Sequence, residues 1–154
     1  MAPKYVHHYL DASARGDPIR IVFYAAGVEF EEKLYTFACM PKIKADEKTF
    51  PLGQLPTLEI DGESHVQSHA ILRYLENEFN LYGMCNKQKL AIDEILYTLQ
   101  NIEDQFFTTY FITPKDQREE SFRKIHGDAV RAYKMFEEIL QKNNYGKDYL
   151  VGNK

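Results

Sequence analysis

The sequence is short of tryptophan, cysteine and long apolar runs, and each shortage narrows what the chain can do. Tryptophan is absent, and the two cysteines, Cys39 and Cys85, form no Cys-x-x-Cys pair of the kind used in disulfide exchange. We therefore expect free thiols and a reducing, cytosolic location. No apolar stretch approaches the roughly 20 residues of a membrane-spanning helix. The start of the chain, MAPKYVHHYL, lacks the apolar core of a secretory signal.

Charge and histidine spacing argue against two further classes of partner. The net charge of −4 offers no basic surface for a nucleic acid. His7 and His8 are adjacent, so on a strand they would face opposite sides of a sheet. The other histidines, His65, His69 and His126, show no zinc-ligand spacing, and we expect no metal site. The composition of the chain, with 44% apolar and 27% charged residues, is typical of a globular protein.

The first 80 residues predict an α/β domain in the order β-α-β-β-β-α. The predicted elements are a strand over 5–9, a helix from Asp17-Pro18 to Gly27, a strand over 28–35, a loop over 36–53 with one helical turn, a hairpin of Thr57–Ile60 and Ser64–Val66, and a helix capped by Ser68. The opening β-α-β unit predicts two parallel strands, and the hairpin predicts an antiparallel pair.

After residue 80 the pattern becomes helical. We predict a domain at 1–80, a linker at 81–86 and an all-helical domain at 87–154 that is incomplete. Two long apolar stripes, broken at Thr113-Pro114, are expected to form its core: Ile92, Ile95, Leu96, Leu99, Ile102 and Phe106, then Phe122, Ile125, Ala129, Ala132, Phe136, Ile139 and Leu140. Two helices make a thin core, and the final YLVGN ends in a turn, so we expect the chain to stop early.

One stretch, FPLGQLPTLEIDG at 50–62, poses a question. Residues 57–60 alternate like a strand, yet Pro56 stands directly before them. Proline removes a hydrogen-bond donor and is normally kept to edges, first positions or bulges. One interpretation is a proline that merely starts the strand; the other is a backbone group left free for a ligand.

Four stretches together resemble one known family, the glutathione transferases, and most closely the sigma class, which includes helminth enzymes and prostaglandin D synthases. They are YLDASARGDPIR at 9–20, GQLPTLEIDG at 53–62, QSHAILRYL at 67–75 and YLVGN at 149–153. The resemblance implies a thioredoxin-like first domain followed by an all-α second domain. It also implies glutathione as co-substrate with no other cofactor, a small hydrophobic electrophile, and a homodimer.

The resemblance implies that Tyr9 and Arg15 are catalytic. A free thiol has a pKa near 8.5, so little thiolate exists at pH 7. Lowering that pKa by about two units requires about 2.7 kcal/mol. A hydrogen bond to a charged group contributes about 1.5–3 kcal/mol, so the Tyr9 hydroxyl alone supplies most of it. Arg15 would support this tyrosine. By residue type alone Tyr5 is an equal candidate, and only position favours Tyr9.

The resemblance also assigns the glutathione contacts. A cis peptide at Pro56 would turn the backbone of Leu55 toward the cysteinyl unit. Gln67 and Ser68 would hold the γ-glutamyl group at a helix N-terminus, where free N–H groups favour an anion. The remaining contacts depart from the family pattern: Met40 stands where a tryptophan is usual, Lys44 or Lys48 takes the lysine position, Gln54 follows in the loop, and Asn101 takes the place of an aspartate from the partner subunit.

Two functional hypotheses remain open from the sequence. In the first, the chain is an enzyme that adds the glutathione thiolate to electrophiles, with peroxidase or prostaglandin isomerase activity as possible extensions. In the second, it is a non-catalytic, glutathione-binding or crystallin-like member, inactive because its second domain is incomplete. Retention of Tyr9, Arg15, Pro56, Gln67 and Ser68 favours the enzyme.

Overall fold

The computed structural model describes residues 2–147 and 149–152. The described residues form two compact units, which divide between Leu81 and Tyr82. The first unit contains β1 (Tyr5–Leu10), α1 (Asp17–Ala26), β2 (Glu31–Tyr35), a 3₁₀ turn (Phe37–Cys39), α2 (Met40–Ala45), β3 (Thr57–Ile60), β4 (Glu63–Val66) and α3 (Ser68–Glu78). The second contains α4 (Asn86–Phe111), α5 (Arg118–Lys142) and 3₁₀ turns at Lys115–Gln117 and Asn144–Gly146. The predicted element order is confirmed.

The four strands form one mixed sheet in the order β2-β1-β3-β4. β1 and β2 run parallel, joined by α1, whereas β3 is antiparallel to both β1 and β4. In the antiparallel pair, His8 of β1 lies opposite Thr57 of β3. Continued by one residue, this register leads to Tyr9 and Pro56. The carboxyl end of β1 therefore meets the segment that precedes β3.

α1 supplies much of the core on one face of the sheet. It begins at Asp17 with proline in its first turn and ends at Gly27, which adopts a left-handed φ of 67°. Ile19 and Phe23 are completely buried. They form a cluster with Tyr5, Leu58, Ile71, Leu72 and Leu75 from the sheet and α3. The spacing of apolar residues in the sequence predicted this face.

The second strand is shorter than predicted. It begins at Glu31 rather than Val28, because the N–H of Val28 donates to the carbonyl of Phe23 and so completes the end of α1. Phe30 is not in the strand, but its ring stacks on that of Phe23, with centroids 4.5 Å apart. The alternating apolar residues before Glu31 predicted a strand, but they are apolar because they pack into the core.

The second unit is a pair of helices with a small apolar centre. Ile95, Ala132 and Phe136 are buried, and Leu150 and Val151 pack against them. The side-chain amide of Asn143 donates to the carbonyls of Tyr149, at 2.7 Å, and Gly152, at 2.6 Å. This bond pair ties the YLVG segment to the end of α5. Asn153, included in the predicted terminal turn, lies outside the described residues.

The prediction that both apolar stripes pack entirely into a core was wrong in part. Leu99 is 40% exposed and Phe106 is 44% exposed. In a pair of helices, each helix can bury only the side that faces its neighbour within the unit. Across the described stretches 2–147 and 149–152, no helix combines the length and the apolar character needed to cross a membrane.

Candidate functional site

A small cleft in the first unit collects six of the residues predicted to act on glutathione. It encloses about 310 Å³ of solvent-open space and is lined by Arg15, Leu52, Gln54, Leu55, Pro56, Val66, Gln67 and Ser68. Three separate chain segments meet here: the turn after β1, the loop before β3 and the start of α3. The residues are up to 53 positions apart in sequence, between Arg15 and Ser68, so only the fold brings them together.

The wall before β3 has a defined backbone conformation. The Leu55–Pro56 peptide bond is cis, as the resemblance implies. The hydroxyl of Thr57, a completely buried residue, donates to the carbonyl of Gln54 over 3.2 Å. This bond holds the loop against the strand. Leu55 stands between the anchored Gln54 and the cis proline, on the lining of the cleft.

The wall at α3 carries an unusual backbone. Gln67 has φ 72° and ψ 102°, a conformation that costs a non-glycine residue about 1–3 kcal/mol and often marks a ligand site. The prediction that Ser68 caps α3 was wrong. The cap position is Gln67, which makes no side-chain capping bond, and Ser68 is the first helical residue. The Ser68 hydroxyl lies 3.4 Å from Nδ1 of His69. The first turn therefore has no side-chain cap of its own, an arrangement suited to an anion.

Tyr9 lies deeper than the cleft lining. It is only 5% exposed and is not among the residues that line the cleft. Its connection to the cleft is Gly16, which follows Arg15. A Cβ placed on Gly16 would lie 2.4 Å from Cγ and Cδ1 of the Tyr9 ring. The turn that carries Arg15 thus passes directly over the tyrosine ring, and only glycine leaves room for it.

We expect Gly16→Ala to impair activity more than the small size of the added methyl group suggests. Gly16 has ordinary helical dihedral angles, φ −81° and ψ −23°, so alanine is excluded by space rather than by backbone strain. Overpacking of this kind costs about 1–3 kcal/mol, here by displacing the Tyr9 ring. Conjugation rate and urea unfolding should both be measured.

The matched control is Gly127→Ala on α5, where the nearest atom to the new Cβ is Nη1 of Arg131 at 3.9 Å. In that open helical position alanine should stabilise by about 1 kcal/mol. Unchanged activity and stability in Gly16→Ala would show that the Tyr9 ring is not held by this contact.

The two candidate tyrosines differ in their surroundings. Tyr5 packs its ring against Phe23, with centroids 5.1 Å apart, and against Phe79, at 5.9 Å. It belongs to the core cluster between the sheet, α1 and α3. Burial raises the pKa of its hydroxyl well above the ordinary value. Tyr5 is therefore a structural aromatic residue, whereas Tyr9 adjoins the turn of the cleft.

The other predicted contacts are not part of the cleft lining. Met40 and Lys44 lie on α2, where Met40 is half-buried and Lys44 is exposed. Lys44 is nevertheless close: its Cα would be 3.2 Å from a Cβ on Gly53, beside Gln54. Asn101 belongs to the second unit, on an α4–α5 groove that Arg131 also lines.

Sequence reasoning missed the charged residues around Tyr9. The guanidinium of Arg20 lies 5.5 Å from the centre of the Tyr9 ring, and it forms ion pairs with Asp17 and Glu32. The spacing of Asp17 and Arg20 on one helix was visible in the sequence. The partnership with Glu32 was not, because it depends on how α1 lies against β2.

Comparison with known proteins indicates the family of the chain. Residues 6–77 match the family model described as Glutathione S-transferase, N-terminal domain. A rat protein, Glutathione S-transferase alpha-3, is 38% identical over 156 residues, covering 100% of this chain and 69% of the relative. Among solved structures, prostaglandin synthase D of Nilaparvata lugens has a TM-score of 0.84 at 25% identity, and a sigma class GST of Fasciola hepatica has 0.80 at 26%. Each covers 99% of this chain, which spans 74% and 72% of those chains respectively.

Fold and cleft together define a thioredoxin-like domain followed by a helical one, as the sequence predicted. The chain belongs to the glutathione S-transferase family, whose members are transferase enzymes. The family prediction is confirmed, whereas the sigma class is represented among structural neighbours and alpha among the curated relatives.

Proposed function

We propose that the chain binds glutathione in the cleft and conjugates its thiolate, activated by Tyr9 with Arg15, to small hydrophobic electrophiles. The observation that carries this proposal is the meeting of Gln67-Ser68, at the uncapped start of α3, with Leu55-Pro56 in one cleft. A helix N-terminus suits the γ-glutamyl carboxylate. An anchored, exposed backbone beside it suits the peptide part of the same molecule.

The remaining contacts complete the proposed binding mode. Gln54 and Leu55 would pair with the cysteinyl backbone, and Met40 and Lys44 would contact the glycyl end. Lys44 is preferred to Lys48 because Lys44 packs directly on Gly53, next to the cleft-lining Gln54. A single ammonium near the glycyl carboxylate is sufficient for one salt bridge, so the second lysine is dispensable.

The proposed reaction is an addition–elimination at an activated carbon. The glutathione thiol loses its proton to solvent, and the thiolate is held by a hydrogen bond from the Tyr9 hydroxyl. With an activated chloronitrobenzene, the sulfur forms a bond to the ring carbon, and chloride leaves with the carbon–chlorine bonding pair. No further cofactor is needed, since electrons and atoms balance between the two substrates.

Finer features belong to the same proposal. The sigma-like class, with prostaglandin isomerase or peroxidase activity, is supported by the likeness to prostaglandin synthase D of Nilaparvata lugens, while the alpha-3 relative supports a conjugating enzyme. A homodimer, with Asn101 near the γ-glutamyl amine of its partner's ligand, follows from the family resemblance. A cytosolic location is consistent with two free cysteines, half-buried Cys39 and exposed Cys85.

The function is tested by titrating glutathione and by measuring conjugation with the wild-type chain and with Ser68→Ala. Loss of a hydrogen bond to a charged group of about 1.5 kcal/mol should weaken glutathione binding about tenfold. Because the Ser68 hydroxyl does not cap α3, the melting temperature should stay within about 1 °C. Ser121→Ala on α5 is the matched control and should change neither quantity.

The outcomes separate the two functional hypotheses. Binding with turnover supports the transferase proposal. Binding without turnover would favour a non-catalytic glutathione-binding protein, and the absence of binding would refute the assignment of the cleft. Ser68→Ala that melts early without losing affinity would show a structural hydroxyl instead of a ligand contact.

A further inference from the structure

Tyr9 belongs to a group of four side chains that contact one another on one face of the sheet, here called the Tyr9 set: Tyr9, His7, Glu32 and Arg20. The rings of His7 and Tyr9 stack, with centroids 6.0 Å apart and planes 13° from parallel. Nδ1 of His7 lies 3.2 Å from Oε1 of Glu32, and the same oxygen accepts a hydrogen bond from Nε of Arg20. The guanidinium of Arg20 in turn lies 5.5 Å from the centre of the Tyr9 ring.

The Tyr9 set contains one cation, Arg20, and one carboxylate, Glu32, and Arg20 pairs in addition with Asp17 outside the set. Arg20 stays protonated, and its pKa is raised by hydrogen bonds to Glu32 and Asp17 against the opposing effect of burial. Burial lowers the pKa of His7 to about 4, so its ring is neutral near pH 7 and donates Nδ1–H to Glu32. One cation thus faces two carboxylates beside the tyrosine ring. Removing the charge of Arg20 leaves both carboxylates without a cation, whereas removing the charge of Glu32 leaves Arg20 paired with Asp17 alone.

The strand provides an internal comparison. His8, the next residue, is equally buried, and both of its ring nitrogens are bonded, to Tyr35 at 2.8 Å and to Glu59 at 2.5 Å, whereas only Nδ1 of His7 is bonded to a described residue. It lies on the opposite face of the sheet, where its ring contacts that of Phe50. Buried polar sets therefore occur on both faces, and only the Tyr9 set includes the proposed catalytic residue.

We propose that Arg20 and Glu32 are positioning residues for Tyr9. Arg20 holds the tyrosine ring, and Glu32 determines how much of the positive charge of Arg20 acts on the hydroxyl. The inference rests on the proposed function. A guanidinium beside an aromatic ring is attracted to the ring face, and a net positive field strengthens a hydroxyl that donates to a thiolate.

The test compares Arg20→Met with Glu32→Gln in the pH dependence of kcat/KM and in the ultraviolet absorbance of bound thiolate. Arg20→Met leaves the two carboxylates that pair with Arg20 without their cation beside the Tyr9 ring, and should raise the midpoint of thiolate formation by about one pH unit. Glu32→Gln keeps both hydrogen bonds but removes one negative charge, and should lower the midpoint by about half a unit. Shifts of opposite sign are the expected result.

Other groups near Tyr9 set the conditions of the test. Among the described residues, His7 on β1 and Arg20 on α1 contact the Tyr9 ring, Asp17 on α1 and Glu32 on β2 pair with Arg20, and Arg15 lies on the following turn, next to Gly16. Measurements between pH 6 and 9 avoid the titration of buried His7, whose pKa is lowered to about 4. Arg20→Lys keeps the positive charge but loses the paired hydrogen bonds. It should therefore restore the midpoint of thiolate formation more fully than kcat/KM.

Several results would overturn the inference. A fall in stability for both variants with no change in the midpoint, or shifts of the same sign, would reduce Arg20 and Glu32 to structural roles. His8→Gln is the matched control, and an equal midpoint shift in it would also refute a specific effect. If Arg20→Met fails to fold, Glu32→Gln still decides by the sign of its shift. Failure of the proposed function is distinguishable, because the wild-type chain would then show no bound thiolate at all.

Discussion

Tyr9→Phe should reduce conjugation at pH 6.5 about 100-fold while changing glutathione affinity less than threefold. The substitution removes one hydroxyl and keeps the ring that packs under Gly16 and stacks on His7. If that hydroxyl supplies about 2.7 kcal/mol to the thiolate, the bound thiol should titrate about two pH units higher without it. The loss should therefore shrink as the pH rises toward 8.5, where free thiolate is plentiful.

Tyr5→Phe is the matched control for this experiment. It removes the same group from the same strand, on the same face, but within the core cluster. Activity should be retained, with an altered melting temperature as the only effect. A Tyr9→Phe chain with more than a third of wild-type turnover would refute the role of Tyr9. Loss of turnover in Tyr5→Phe alone would transfer that role to Tyr5.

Acidification from pH 7.5 to 5 should cost about 2 kcal/mol of folding stability through His7 alone. Burial lowers the pKa of this completely buried histidine from 6.5 to about 4. The unfolded chain therefore binds the proton more readily than the folded chain throughout that interval. The penalty is absent above about pH 6.5, grows as the pH falls, and levels off below about pH 4 near 3 kcal/mol. Burial of His8 lowers its pKa in the same direction.

Urea unfolding at pH 7.5 and pH 5 measures this effect in the wild-type chain and in His7→Phe. Phenylalanine cannot titrate, and it replaces a ring whose Nε2 has no hydrogen-bond partner among the described residues. The difference in unfolding free energy between the two pH values should be about 2 kcal/mol smaller in the variant. His126→Phe, at an exposed position on α5, should leave the difference unchanged. An identical pH dependence in His7→Phe and wild type would contradict the assignment.

Local sequence signals were sufficient to predict an element wherever the residues of a single turn define its start or its end. Asp17-Pro18 and Gly27 predicted both ends of α1 because proline and a left-handed glycine act within a single turn. The same reasoning failed at Ser68. Its position before an apolar helix suggested a cap, but the backbone of Gln67 takes a positive φ and moves the cap position back by one residue. Strain of this kind is imposed by surrounding structure and leaves no local pattern.

The apolar stripes of α4 and α5 show a different limit. Their spacing correctly predicted two helices, yet it could not tell which apolar residues would be covered, and Leu99 and Phe106 stay substantially exposed. Periodicity reports which side of a helix is apolar. Burial depends on what packs against that side, which is a property of the whole unit.

By itself, the sequence determined the order of strands and helices, the family, and the segments that would form the cleft, because each depends on short patterns and their spacing. Only the tertiary structure decided that Tyr5 packs into the apolar cluster of α1 and α3 while Tyr9, also buried, lies under Gly16. It also decided that Gly16 must lack a side chain, and that Glu32 joins Arg20 and His7 beside the tyrosine. These outcomes depend on the pairing of β1 with β2 and on how α1 packs against the sheet. Contacts between residues distant in sequence form only when the chain has folded, and no local sequence pattern encodes each of them.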